Sequence, residues 1–97
     1  MSVYVDDLRG CPKNRNWPYG ECCHLVADTI GELAAFSILL PLKKEWFQEG
    51  VCSLPHFDLT AGMRHRAISL GAIEIDDRQL VEMIRKHRQE RRAMETL

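Results

Sequence analysis

Two histidine–aspartate elements are the part of this sequence best equipped for chemistry. His56 and Asp58 stand two residues apart, just before a helical pattern that begins at Thr60. His24 and Asp28 stand in a similar segment, before another helical pattern. Mixed imidazole and carboxylate ligands suit Mn, Fe or Zn, whereas carboxylates alone suit Mg. Each element therefore offers ligands for a metal that activates water, or an oriented general base.

A third group of acids follows the first predicted strand, at Asp6 and Asp7. In open α/β sheets, ligands bind outside the carboxyl ends of the strands, where parallel neighbours would bring these side chains together. We therefore predict a site for a divalent metal (Mn, Zn, Fe or Mg). The predicted metal ligands are Asp6, His24, Asp28, His56 and Asp58, with His56 and Asp58 as the catalytic pair.

Helix capping is the competing interpretation of the two later aspartates. Asp28 and Asp58 each stand next to a predicted helix start. There, unpaired backbone amides and the helix dipole stabilise a carboxylate by ~0.3–1 kcal/mol without any catalytic role. A histidine can likewise bond a backbone carbonyl. The residue pattern leaves both interpretations open.

The cysteines allow two further interpretations. Cys22, His24, Cys52 and His56 form a CxH and a CxxxH pair, although structural zinc sites use tighter, recurrent spacings. Cys22 would share a strand face with His24 and could act as a nucleophile. The more ordinary role of such cysteines in a cytosolic chain is that of a small buried thiol.

Alternating strand and helix signals surround these residues. The predicted strands are 3–5, 22–27, 51–54 and 72–75, and the predicted helices are 29–40, 60–70 and 76–84. This order predicts an α/β fold, a single small layered domain with three or four mostly parallel strands and three helices. We expect the domain to span residues 1–84, and residues 85–97 to be the basic, frayed end of the last helix.

Local signals define several boundaries. Thr29 and Thr60 are placed to cap the first two helices, and Gly71 to end the second. Residues 9–20 are rich in proline and glycine and predict a long loop, which Trp17 should pin to the core.

Composition excludes some classes of function. The chain has 97 residues, 45% of them apolar, and a net charge of −1. It offers no apolar run near the ~18 residues of a membrane helix, and its start lacks the features of a signal peptide. We expect a cytoplasmic protein without a membrane partner. The five Lys and Arg residues within 85–92 form the one basic patch that could contact nucleic acid.

The ordered set of motifs also resembles a known family. The matching segments are Tyr4–Asp7, Trp17-Pro18, His24–Asp28, Glu32-Leu33, Trp46–Gln48, His56–Leu59 and Leu70–Ala72. They resemble a family of short bacterial and phage proteins that is catalogued as a domain of unknown function. The resemblance covers most of residues 3–81 and implies that the polar positions matter. It also implies an association with metal-dependent phosphohydrolase domains. This chain departs from the pattern at Phe57, where the family usually has tyrosine.

Two hypotheses of function follow. The first is a small metal-dependent hydrolase that acts on a nucleotide or a nucleic-acid phosphodiester. The alternative is a non-catalytic binding module, such as a phage accessory protein that docks on a host protein or on nucleic acid. The alternative would use the exposed basic helix, including Arg88, Arg91 and Arg92.

Overall fold

The chain forms one mixed sheet with helices on both faces. In this computed structural model, residues 2–15, 17–49 and 54–95 are described. The strands are β1 (Val3–Val5), β2 (Arg9–Gly10), β3 (Glu21–Ala27), β4 (Phe47–Gln48), β5 (His56–Leu59) and β6 (Ile73–Glu74). The helices are α1 (Ile30–Leu39), α2 (Ala61–Ser69) and α3 (Asp77–Glu95), and a 3₁₀ turn (Lys44–Trp46) leads into β4.

The sheet differs from expectation in the number and direction of its strands. Among the described residues, six strands take the order β4-β5-β3-β1-β6, with β2 paired to β3 beside this path. Only β1 and β6 run parallel, and the other pairs are antiparallel. The α/β class and the three helices are confirmed, but the sheet is mostly antiparallel rather than mostly parallel. The physical reason is that a loop, not a crossover helix, returns the chain from β1 to its neighbour β3.

The central strand β3 supplies both faces of the sheet. Cys23 and Leu25 point into the main core, which α1 and α2 cover. Val26 points to the opposite face and packs with Ile75 and Leu80 beneath α3. His24 belongs to that second face by alternation but lies outside this apolar cluster. One face of β3 is therefore apolar from Cys23 to Ala27, and the other face changes from apolar at Val26 to polar at His24.

The predicted helix boundaries rest on side-chain caps. The hydroxyls of Thr29 and Thr60 accept hydrogen bonds from the amides three residues later, at 3.1 and 3.3 Å. The helix α3 begins with a reciprocal pair, in which Asp76 and Gln79 bind each other's backbone amides at 2.8 and 2.9 Å. Gly71 follows α2 with a φ of 109°, a value that favours glycine.

We expect Thr60→Ala to lower the free energy of unfolding by about 1 kcal/mol, because it removes the cap of α2. In a domain of this size, that loss corresponds to a fall of about 4–8 °C in Tm. Thermal and urea unfolding measure both quantities. Thr60→Ser keeps the hydroxyl and should stay close to the wild type. Equal stability of the alanine and serine variants would contradict the capping role.

Three further predictions meet different outcomes. Trp17 is buried, and its indole Nε1 donates to the Glu21 carbonyl at 2.9 Å, so it does hold the loop to the sheet. Helix α3 continues to Glu95, so residues 85–95 belong to this helix, and fraying of its end stays a prediction. Most of the strand predicted at 51–54 lies outside the described residues. No helix in the described ranges combines the length and apolar character needed to cross a membrane.

Candidate functional site

The antiparallel pairing of β3 with β5 brings the two histidines together. They do not meet at the carboxyl ends of parallel strands, as the sequence predicts. His24 on β3 stands directly opposite Asp58 on the antiparallel strand β5. His56 lies two residues before Asp58 on β5, so both side chains point to the same face. The imidazole rings of His24 and His56 meet edge to face, with centroids 5.0 Å apart. The three side chains thus form one group on the polar part of the sheet face.

The geometry of this group fits a metal-binding site. One ligand atom from each of His24, His56 and Asp58 lies within 4.8 Å of the others. The closest approach of His56 Nε2 to Asp58 Oδ1 is 3.7 Å. Ligands at 2.0–2.1 Å from a tetrahedral Zn²⁺ stand about 3.4 Å apart, so binding would draw the group together by about 1 Å. All three side chains are partly buried and reachable from solvent.

The buried side chain of Asp6 orients His24 through hydrogen bonds. It is the one charged side chain that is buried among the described residues. Its Oδ2 lies 2.7 Å from His24 Nδ1 and accepts a hydrogen bond from Arg9 at 2.8 Å. Its other oxygen accepts from the His24 backbone amide. The sequence predicts Asp6 as a metal ligand, but the structure places its oxygens on His24 and Arg9.

Charge and burial shift both pKa values in this pair. Burial alone would raise the pKa of Asp6, but hydrogen bonds from His24 and the charge of Arg9 outweigh it and lower the pKa below its ordinary value. The hydrogen bond to Asp6 raises the pKa of His24, against the opposing effect of burial. Asp6 is therefore an anion at neutral pH and can hold the Nδ1 proton of His24.

His56 is oriented in the same manner by a different partner. Its Nδ1 lies 2.8 Å from the carbonyl oxygen of Leu54. A carbonyl only accepts, so Nδ1 carries a proton, and in the neutral imidazole Nε2 then has the lone pair. The carboxylate of Asp6 gives His24 the same tautomer. Metal-binding histidines characteristically donate their second ring N–H to a carboxylate or a carbonyl in this way.

Asp28 is not part of this group. Its carboxylate accepts hydrogen bonds from the Ser2 amide at 2.7 Å and the Tyr4 hydroxyl at 3.0 Å, beyond the far end of β3. It stands four positions after His24 along the extended chain, which corresponds to about 13 Å. The capping interpretation does not hold either, since Thr29 caps α1 and the Asp28 carboxylate bonds to β1 instead.

The cysteine interpretations gain no support. Burial, together with a hydrogen bond between Cys22 and Cys11, raises the pKa of the Cys22 thiol to about 11. A thiol of that kind holds almost no thiolate at neutral pH and is a poor nucleophile. Cys52, the fourth member of the CxH and CxxxH set, lies outside the described residues.

Residues without an assigned role in the sequence complete the site. The amide of Gln48 donates to the Asp58 carboxylate and so fixes it in place. Asp58 also reaches the wall of an open cleft that contains Trp17 and Trp46. These residues belong to motifs that carry the family resemblance, which was the available signal. Their place in the site depends on contacts between segments that are distant in the sequence. The spacing of residues along the chain could not predict it.

Fold and site together define a small α/β domain with a histidine–aspartate group on an open sheet face. The chain belongs to the family described as protein of unknown function (DUF4031), whose model matches residues 3–87. The resemblance to a family of unknown function is thereby confirmed. No curated protein and no solved structure matches the chain.

Proposed function

We propose that the protein is a metal-dependent hydrolase whose ligands are His24, His56 and Asp58, and whose substrate is a phosphate ester of a nucleotide or nucleic acid. The observation that carries the proposal is that hydrogen bonds at Nδ1 orient both imidazole rings. Each Nδ1 is engaged, by Asp6 or by Leu54, and each Nε2 is left for a metal. Structural histidines that only satisfy a backbone group have no need to converge on a carboxylate.

The ligand set indicates which metals are suitable. Two imidazoles and one carboxylate suit Zn²⁺, Mn²⁺ or Fe²⁺ better than Mg²⁺, which prefers oxygen ligands. Three protein ligands leave an open coordination position, which is typical of catalytic rather than structural zinc. A metal there would lower the pKa of a bound water to near 7. Held by His24, His56 and Asp58, such a metal would supply an activated water for cleavage of the phosphate ester, and the leaving alcohol oxygen would take its proton from solvent.

The surroundings include two cations that could bind an anionic substrate, beside the carboxylates of Glu45 and Asp58. Arg15 and Lys43 line the cleft that Asp58 shares, and cations at such positions neutralise the charge that a phosphoryl group carries. The basic patch of the alternative hypothesis lies elsewhere. Two clefts along helix α3 are lined by Asp28 and Leu54.

Metal titration of purified, chelator-treated protein tests the proposal. We expect one equivalent of Zn²⁺ or Mn²⁺ to bind and to raise Tm. His56→Ala removes one of three ligands and should weaken this binding by more than the roughly 10–100-fold that loss of a supporting partner costs. His65→Ala is the matched control, because His65 is exposed on α2 and should leave binding unchanged. Calorimetric titration and thermal unfolding give the two readouts.

Activity then distinguishes hydrolysis from other metal chemistry. The same ligand set occurs in non-haem iron oxygenases, but Zn²⁺ is redox-inert. Hydrolysis of bis(p-nitrophenyl) phosphate by the Zn²⁺ form, lost in His56→Ala, would support the proposal. Absence of metal binding in the wild type, or equal binding by His56→Ala, would reject it.

A further inference from the structure

An open cleft of about 650 Å³ adjoins the proposed metal site and has not been given a ligand. It shares Gln48 and Asp58 with that site, and its volume lies in the range of small-molecule sites. The histidine–aspartate group does not by itself require such a cleft. Its remaining walls combine aromatic rings with cationic side chains, which is the chemistry of nucleotide recognition.

The aromatic wall is fixed in position. Trp17 and Trp46 meet edge to face, with ring centroids 5.5 Å apart. Trp17 is buried and anchored through its Nε1 to the Glu21 carbonyl. Trp46 is half-buried and lines the cleft, so part of its ring remains available. A rigid indole surface of this kind stacks well against a planar heterocycle.

The cationic side chains stand next to this wall. Lys43 Nζ lies over the face of the Trp46 ring, 5.5 Å from its centroid, so a base that stacks there would take the place of the ammonium group. Arg15 lines the same cleft. Within the described ranges, neither cation forms an ion pair. Arg and Lys in such positions form charge-assisted hydrogen bonds to phosphate oxygens. Glu45 and Asp58 add negative charge to the cleft, which a metal on Asp58 would offset in part.

We infer that this cleft binds one nucleoside monophosphate unit, with its base on Trp46 and its phosphate oxygens on Arg15 and Lys43. The inference rests on the proposed function for the position of the reacting ester beside Asp58. Binding in the cleft itself needs no metal. A free nucleotide and a nucleotide within a single strand share this chemistry, so the test includes both.

Tryptophan fluorescence reports directly on the cleft, because both tryptophans of the chain line it. The probes are AMP, adenosine, ribose 5-phosphate and a five-residue oligodeoxyadenylate, titrated in EDTA and again with Zn²⁺. We expect AMP to quench the fluorescence, to bind at least tenfold more tightly than ribose 5-phosphate, and to bind more tightly with Zn²⁺. Quenching by the oligonucleotide alone would assign the site to a nucleotide within a strand.

Charge reversal supplies the matched comparison. Lys43→Glu should weaken AMP binding at least tenfold and leave adenosine binding unchanged. Lys44→Glu makes the same change one residue later, on a side chain that does not line the cleft, and should weaken AMP binding less than twofold. Both residues are exposed, so neither variant should disturb folding.

The inference is overturned if neither AMP nor the oligonucleotide quenches the fluorescence. It is also overturned if both charge reversals weaken AMP binding equally, or if ribose 5-phosphate binds as tightly as AMP. The proposed function fails separately. Quenching without any metal binding would reject the hydrolase and keep the cleft, whereas metal-dependent hydrolysis without quenching would do the reverse.

Discussion

Asp6→Ala is expected to lower the free energy of unfolding by about 3 kcal/mol, the lower end of the cost of breaking a buried charged pair. Asp6 is fully buried and accepts hydrogen bonds from the His24 amide, the His24 ring and Arg9. Alanine would leave these donors without their acceptor. Urea unfolding at neutral pH measures the loss. Asp7→Ala, at the exposed neighbouring position, should change stability by no more than about 0.5 kcal/mol.

Asp6→Asn separates the folding role of this residue from its role at the site. The amide oxygen of asparagine can still accept from the His24 backbone amide, so the fold should persist. Its NH₂ group would donate to His24 Nδ1 and move the ring proton to Nε2, the atom that a metal needs. We expect metal affinity to fall by about 10–100-fold, as it does when such supporting partners are lost. Undiminished metal affinity in a folded Asp6→Asn protein would contradict the orientation role.

Leu25→Ala is expected to lower the free energy of unfolding by about 3 kcal/mol, within the range for leucines removed from well-packed cores. Leu25 is fully buried at the centre of the sheet, where β3 pairs with both β1 and β5. Alanine would leave a cavity that these strands cannot easily close. The corresponding fall in Tm is about 12–24 °C, measured by thermal unfolding of the metal-free protein.

The control for Leu25 is Ile38→Ala, which truncates an aliphatic side chain that is 77% exposed on α1. It should change stability by no more than about 0.5 kcal/mol. Similar losses at both positions would mean that the core is not where the structure places it.

Local signals predicted the parts of the fold that depend on a few adjacent residues. Thr29 and Thr60 begin helices through hydrogen bonds to their own hydroxyls, and Gly71 follows a helix end because a residue without a side chain adopts a positive φ easily. Strand direction depends instead on how the chain returns to the sheet, which no short window records. The strands β2 and β4 have two residues each, too few to show alternation.

The sequence predicted part of the candidate site, but the structure brings its residues together in a different way from the one expected. His24, His56 and Asp58 do meet, but by pairing across the ladder and not at a shared carboxyl edge. The spacing of His56 and Asp58 carried a usable signal, because residues two apart on a strand share a face. Asp28 shows that a similar local sequence does not guarantee a similar position in the fold. Its segment looks like that of Asp58, but its position after the end of β3 directs it to β1.

The pairing of β3 with β5 has a consequence for folding. In the sequence, residues 25–55 separate His24 from His56, and the two meet only when β3 pairs with β5. The unfolded chain therefore holds no preformed site. A metal bound by the proposed ligands would act as a reversible cross-link that closes this long segment, and its binding energy would become folding energy. At a concentration 100 times its Kd, such an ion would add about 2.7 kcal/mol to stability. The availability of metal would then govern how much of this protein is folded, as well as whether it is active.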